Sequence, residues 1–327
     1  MVRRTLPAQS ALFTNPVMKL IMKTCKSRQF TLAIVGISVF MAFHAVSSHA
    51  QQIPNFTLYN MNHYLLNPAA AGSNDRLPVA ISYRKMWAGF NDSPSVQYLS
   101  GNMKVAKNMG VGARLFNYQA GPSRKTGLEG TYSYHLSLGS GDTKLSFGLS
   151  LLLYQFYLNK SDLVVEDPDD EVFMGTEQMF VPDAGIGTYL YGNNYYVGIS
   201  VPQLFQRNID LKSDIVLQQK QVRHYYLHGG YIFEAGGDFK IEPSLLLKFI
   251  EAGIFQADIN ALATYKDMIN LGISYRTEDA LCFQLGYLNP DIFIGYAYDL
   301  PLSDIAGNTS GSHEILFRYT FDNFILK

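Results

Sequence analysis

LCFQLGYLNPDIFIGYAYDL, residues 281–300, decides the fold. In its first half Leu281, Phe283, Leu285 and Tyr287 alternate with Cys282, Gln284 and Gly286. After Asn289-Pro290-Asp291 the alternation resumes. Ile292, Ile294, Tyr296 and Tyr298 form one row, and Phe293, Gly295, Ala297 and Asp299 the other. A strand points successive side chains to opposite faces, so each run has one apolar face and one small or mixed face. Asn-Pro-Asp is turn chemistry: proline fixes φ, and Asn and Asp bond back to their own backbone. The stretch is a β-hairpin that wants an apolar medium on one side.

Working outward, the same rhythm runs from Val79 to the end of the chain. It predicts strands at 79–87, 95–105, 109–118, 126–138, 143–157, 182–191, 195–202, 222–234, 239–250, 254–266, 269–277, 280–288, 292–300 and 313–321. That is fourteen, an even number, as bacterial outer-membrane barrels require. The predicted fold is therefore all-β, a transmembrane antiparallel β-barrel of about seven hairpins over residues 79–327, preceded by an irregular N-terminal segment. The links give an independent check. Every link after an even-numbered strand is short, and the three long links, 158–181, 202–221 and 301–312, follow odd-numbered strands. Outer-membrane barrels have short periplasmic turns and longer outside loops. A soluble β-sandwich has no reason to sort its loops this way.

Composition agrees. The 327 residues carry a net charge of −1, with 16% charged and 13% aromatic residues, so no basic face for a nucleic acid is present. Abundant Tyr and Gly with few charges suit strands with aromatic girdles at two membrane interfaces. The cysteines are Cys25 and Cys282, and removal of a leader would leave one, which excludes an internal disulfide. Residues 1–50 read as an export signal whose start is Met1, Met18 or Met22: basic residues, the apolar run FTLAIVGISVFMAF at 30–43, then Ser48-His49-Ala50 as a cleavage site. The run is shorter than the ~20 residues of a spanning helix. Residues 51–78 carry turn signals at Asn67-Pro68 and at 72–75, and are expected on or inside the barrel.

Several strands hold an unbroken apolar row, such as Leu145, Phe147, Leu149, Leu151 and Leu153. The opposite rows hold the charges Arg84, Arg114, Glu129, Lys248, Asp258, Arg276 and Arg318. An Arg or Lys at the lipid midplane costs ~2–4 kcal/mol, so these seven are expected to face the lumen. Their mixed sign favours a plugged or narrow interior over a single-sign pore.

On these residues the chain resembles the PorP/SprF family of type IX secretion system membrane proteins. The resemblance is densest at residues 51–59, Asn67-Pro68-Ala69 with Gly72, Tyr83 to Trp87, and Ser93-Pro94. It continues through residues 182–187, 195–200, 224–226, 242–244, Tyr275-Arg276, residues 295–299 and Ser312-His313-Glu314. Met86 stands where the family commonly has Gln. The resemblance implies a non-enzymatic outer-membrane protein of the secretion and gliding machinery, without a cofactor. Its implied partners are the periplasmic ring and lipoprotein components and a secreted adhesin. A transport barrel for a hydrophobic or small polar substrate is the alternative.

Candidate contact residues are Asn67, Pro68, Ala69, Gly72, Tyr83, Arg84, Trp87 and Pro94. Two roles stay open for the N-terminal segment: a contact to periplasmic partners, or a plug braced against Arg84 and Arg114. Trp87 suits a membrane interface. His224 and His228 share a strand face but stand ~13 Å apart, too far for one metal. His313 and Glu314 point to opposite faces, and His135 has no local Gly-x-Ser-x-Gly partner, so no catalytic or metal residue is predicted. The acidic run 166–171 is read as a solvated outside loop or a Ca²⁺ site.

Overall fold

The computed structural model describes residues 53–162, 175–206, 208–209, 219–251 and 253–323. Fourteen antiparallel strands form the wall. They are β1 (Leu77–Lys85), β2 (Ser95–Ala106), β3 (Met109–Ala120), β4 (Ser123–Ser137), β5 (Lys144–Asn159), β6 (Thr176–Tyr191), β7 (Tyr195–Val201), β8 (His224–Tyr231), β9 (Phe239–Ile250), β10 (Ile254–Tyr265), β11 (Ile269–Arg276), β12 (Ala280–Leu288), β13 (Ile292–Pro301) and β14 (Ser312–Phe321). Each strand pairs with its sequence neighbours, and β1 pairs with β14 from Leu77↔Phe321 to Lys85↔His313. The sheet is thus a closed barrel with no free edge. Phe233–Glu234 prolongs the β8–β9 pairing. Asn208–Ile209 and Gln219–Lys220 pair in the β7–β8 link.

The alternation in the sequence becomes two faces. Along β5, Phe147, Leu149, Leu151 and Leu153 point out, 46–67% exposed, while Ser146 and Ser150 point in and are buried. Outward aromatics ring both ends. Tyr231 and Phe233, Phe239 and Tyr265, and Tyr319 and Phe321 pack in pairs near the short turns, with ring centroids 4.4–4.7 Å apart. Tyr225 and Phe249 pack near the long links. These bands are where amphipathic rings sit at the two lipid–water boundaries.

Strand ends differ from expectation where loops carry little side-chain pattern. β1 ends at Lys85, not Trp87, because Trp87 sits in a turn at φ 48°. β4 and β6 begin earlier than the alternation suggested, at Ser123 and Thr176. These extensions rise above the lipid band, where outward Gln97, Asn117 and Thr126 hydrogen-bond to one another instead of facing hydrocarbon. The mouth with short turns is taken below as periplasmic and the mouth with long links as external, by the loop-length rule.

Candidate functional site: a plugged lumen

Residues 53–76 lie inside the barrel. They form three 3₁₀ turns, Leu58–Met61, His63–Leu65 and Pro68–Ala70, joined by irregular backbone. Such backbone has no ladder of its own, so its polar groups need partners from the wall. The inward side chains supply them. Ser200 Oγ donates to Leu66 O at 2.6 Å, Ser146 Oγ to Ala69 O at 2.7 Å, and Arg114 to Leu65 O at 2.7 Å. Ser133 Oγ and His135 Nε2 both reach Ala71 O, at 2.6 and 2.9 Å. Ala71 O can only accept, so the His135 proton facing it sits on Nε2, and Tyr191 OH lies 2.9 Å from Nδ1. The histidine and serine of β4 are therefore structural, committed to one plug carbonyl.

The turn at Asn67 is the tightest contact. Asn67 Oδ1 accepts from Ala69 N at 2.9 Å, capping Pro68–Ala70, and proline occupies the first position of that turn. Asn67 Nδ2 donates to Thr188 O at 2.8 Å. The turn lies directly on two wall glycines. A Cβ at Gly148 would stand 2.2 Å from Ala69 N, and one at Gly187 would stand 2.0 Å from Asn67 Oδ1. Only the missing side chains let wall and plug approach this closely.

The external half of the lumen holds an ion cluster. Arg84 reaches Asp299 at 2.6 Å and Glu314 at 3.1 Å. Arg276 reaches Asp258 at 3.1 Å and Asp299 at 3.0 Å, and Lys248 lies 3.5 Å from Asp258. These three cations and three carboxylates are buried, and a fourth carboxylate, the partly exposed Asp279, stands 3.3 Å from Arg276. The plug enters the cluster through Thr57. Its N–H donates to Glu314 at 2.7 Å, and its Oγ1 donates to Asp299 at 2.8 Å while accepting from Arg84. Arg114 pairs with Glu129 separately. Arg318 donates to Met61 O and packs over the Phe293 ring.

The segment runs end to end. Ile53 N approaches His224 at the external mouth, and Asp75 bonds Lys104 at the periplasmic mouth. The Lys104 hydrogen bond, at 2.5 Å, holds the Asp75 carboxyl below the usual carboxylate range. Arg76 closes this end on Pro290 O and Asp291.

The seven charges expected in the lumen all lie on its wall. The eight contact residues do not form one surface. Asn67, Pro68, Ala69 and Gly72 are buried between plug and wall, so the reading of Asn67-Pro68-Ala69 as a motif presented to periplasmic partners does not survive. Tyr83 faces lipid, Arg84 faces the ion cluster, and Trp87 and Pro94 lie in the β1–β2 link at the external mouth. The segment enters β1 at the short-turn mouth, while Ile53 lies at the opposite end, beside His224. Asp299, Glu314, Thr57 and the glycines under the Asn67 turn were missed. Asp299 shares a row with Gly295 and Ala297, and Glu314 shares one with Ser312 and Arg318, and that placement was the available signal. The acidic run 166–171 lies outside the described residues.

A family comparison decides what such a plugged barrel belongs to. The sequence model of the type IX secretion system membrane protein PorP/SprF family matches residues 48–319. The chain belongs to this family. As a PorP/SprF protein with a closed β-barrel, it is a membrane component of type IX secretion located in the bacterial outer membrane. The family is that of a secretion-system membrane protein. No curated protein sequence matches the chain. Among solved structures, the toluene transporter TbuX of Ralstonia pickettii is similar with a TM-score of 0.51 and 10% identity, covering 79% of this chain and 92% of its own. A FadL homologue of Pseudomonas aeruginosa is similar with a TM-score of 0.47 and 9% identity, covering 84% and 95%. At these identities the first likeness speaks for the barrel fold alone.

Proposed function

We propose that this PorP/SprF protein is a sealed outer-membrane anchor. It supports secretion or surface anchoring of an adhesin-type cargo and contacts the periplasmic ring and lipoprotein components of the machinery. The observation that carries this reading is the lumen. Inward Ser, His and Arg side chains of the wall bond plug carbonyls, and the charges of its buried ion cluster pair with one another. Those are features of a stopper, and a water-filled pore has no use for them.

The periplasmic contact then falls on the part of the segment that reaches the short-turn mouth. Asn74 and Asp75 are exposed there, next to an open cleft lined by Ser73, Tyr191, Tyr195 and Tyr196. Tyrosines with polar neighbours are the usual composition of an interaction hot spot. Asn74→Arg combined with Tyr195→Ala tests the reading. The variant should assemble, stay closed in planar bilayers, fail to co-purify periplasmic partners and fail to display its adhesin. Normal co-purification and display would refute it.

Transport of a hydrophobic substrate is the second reading, favoured by an aromatic-lined cavity at the external mouth. Loss of substrate uptake with intact adhesin display on gene deletion would select it.

A further inference from the structure

The cavity at the external mouth lies between the plug and the tall wall of β2–β5 and has an empty volume of about 880 Å³, its open mouth included. Its body is aromatic. Tyr98 stacks on Phe116 with centroids 5.7 Å apart, and Tyr154, Tyr118 and Tyr226 complete the lining. The composition here departs from the rest of the lumen. Lower on β5 the inward row is Ser146, Gly148 and Ser150, but above it turns into Leu152, Tyr154, Phe156 and Leu158. An inward apolar row where solvent enters has no use in a polar lumen.

Among the described residues, the Lys125 ammonium and the Gln221 carbonyl in this lining have no hydrogen-bond partner. Lys125 makes no hydrogen bond or ion pair among the described residues, whereas Arg114, beside it in the cavity, is consumed by Glu129 and the plug carbonyls. Gln221 is 4% exposed. Its Nε2 donates to Tyr154 OH at 2.6 Å, but its Oε1 is buried without a partner. His224 is not available to a ligand, since Nδ1 lies 3.0 Å from Val222 O and Nε2 faces Ile53 N. One free cation, one buried free acceptor and an aromatic wall define the chemistry of an occupant.

We infer that this cavity binds a monocarboxylate on an apolar body that also carries an N–H or O–H donor, its carboxylate at Lys125, its donor at Gln221 Oε1, and its apolar part between Phe116, Tyr118 and Tyr226. A plain hydrocarbon leaves the Lys125 ammonium and the Gln221 carbonyl desolvated without compensation. A dianion such as phosphate finds a single free cation among the described residues for its two charges, and it leaves the apolar ring faces unused. The carboxylate with a neighbouring N–H occurs in two sources: the C-terminal residue of a peptide and a free N-acyl amino acid. The plug closes the floor through Leu65 and the Arg114–Glu129 pair, so the site holds a ligand and does not pass it through.

The test uses the full chain in nanodiscs, which keeps detergent out of the cavity, and calorimetric titration with N-acetyl-L-phenylalanine. Its primary amide removes the charge, and 3-phenylpropionate removes the donor. The acid should bind at least tenfold more tightly than the amide. Lys125→Met should reduce that preference to less than threefold, and Gln221→Leu should weaken the acid while leaving 3-phenylpropionate unchanged. Should a variant not assemble, the comparison of acid with amide on the wild-type protein decides alone. Equal binding of acid and amide, or no binding of either, overturns the inference. A tripeptide ending in phenylalanine separates the sources: tighter binding than the free acid assigns the site to a chain terminus, and exclusion assigns it to a small molecule.

Discussion

Gly148→Ala adds one methyl group to the inner face of β5, and the structure gives the size of the conflict. The new carbon would lie 2.2 Å from Ala69 N and 2.4 Å from the Pro68 carbonyl carbon, where ordinary contact begins at 3.4 Å. Both obstacles are backbone, so no rotamer change relieves them. Plug and wall must part by more than 1 Å, which breaks the 2.7 Å bond from Ser146 to Ala69 O. Overpacking of this kind costs about 1–3 kcal/mol, and a lost hydrogen bond adds about 1 kcal/mol. A total of about 2–4 kcal/mol shifts plug docking by roughly 30- to 700-fold. In planar bilayers the wild-type barrel should be silent, and the variant should show intermittent conductance and a lower unfolding temperature. Gly130→Ala is the control, because a Cβ there meets nothing within 4 Å. If the Gly148 variant is as quiet and as heat-stable as the Gly130 variant, the plug is not seated as described.

The remaining predictions probe lipid face, ion cluster, orientation and acid response. Leu149→Arg puts a guanidinium on the outward face of β5 at a cost of ~2–4 kcal/mol near the midplane and should lower the heat-modifiable, assembled fraction. Gln119→Arg, exposed near the end of β3, should assemble normally, and equal assembly of the two would remove the face assignment. Arg84→Met strips a buried cation from Asp299 and Glu314, which typically costs ~3–5 kcal/mol, and should appear as a clear drop in thermal stability. With Cys282 buried and silent, a maleimide should label Asn91→Cys on intact cells and Ser140→Cys only after permeabilisation; the reverse pattern would invert the barrel. Asp75 has its folded value depressed by Lys104, so its contribution is present above the ordinary carboxylate value and is lost as pH falls through the folded value. Asp75→Asn should flatten the acid limb of a stability profile, and an unchanged limb would deny the bond a role.

The sequence carried the wall more clearly than the interior. Period-two rows such as Leu145 to Leu153 report on one lipid boundary, so strand number and inward face could be read from local pattern alone. Charge cost then placed Arg84, Arg276 and Lys248 inside. Their partners were harder to see, because Asp299 meets Arg84 only after β1, β13 and β14 come together across the barrel seam. The role of the Asn67 turn stayed open between two readings for a related reason. Asn-Pro-Ala announces a turn but not what the turn rests on, and a glycine such as Gly148 inside a strand reads as a weak point until the opposing backbone is known. Trp87 shows the limit at strand ends: an aromatic at a boundary fits either the last residue of a strand or the turn that follows.

The plug bears on how the barrel assembles. Asn67 bonds Thr188 on β6, 121 positions away, and Thr57 bonds Glu314 on β14, 257 positions away, so Thr57 finds this partner only when the last strand arrives. Contacts of this separation slow a folding reaction, because the chain between them must be ordered first. The path also matters. Ile53 and Leu77 sit at opposite mouths, so a barrel that closed before the segment docked would have to pass one end of it through a lumen whose glycine contacts leave no clearance. Wrapping the strands around a segment already in position needs no threading. On that route an assembly intermediate would be an open sheet cradling its own stopper.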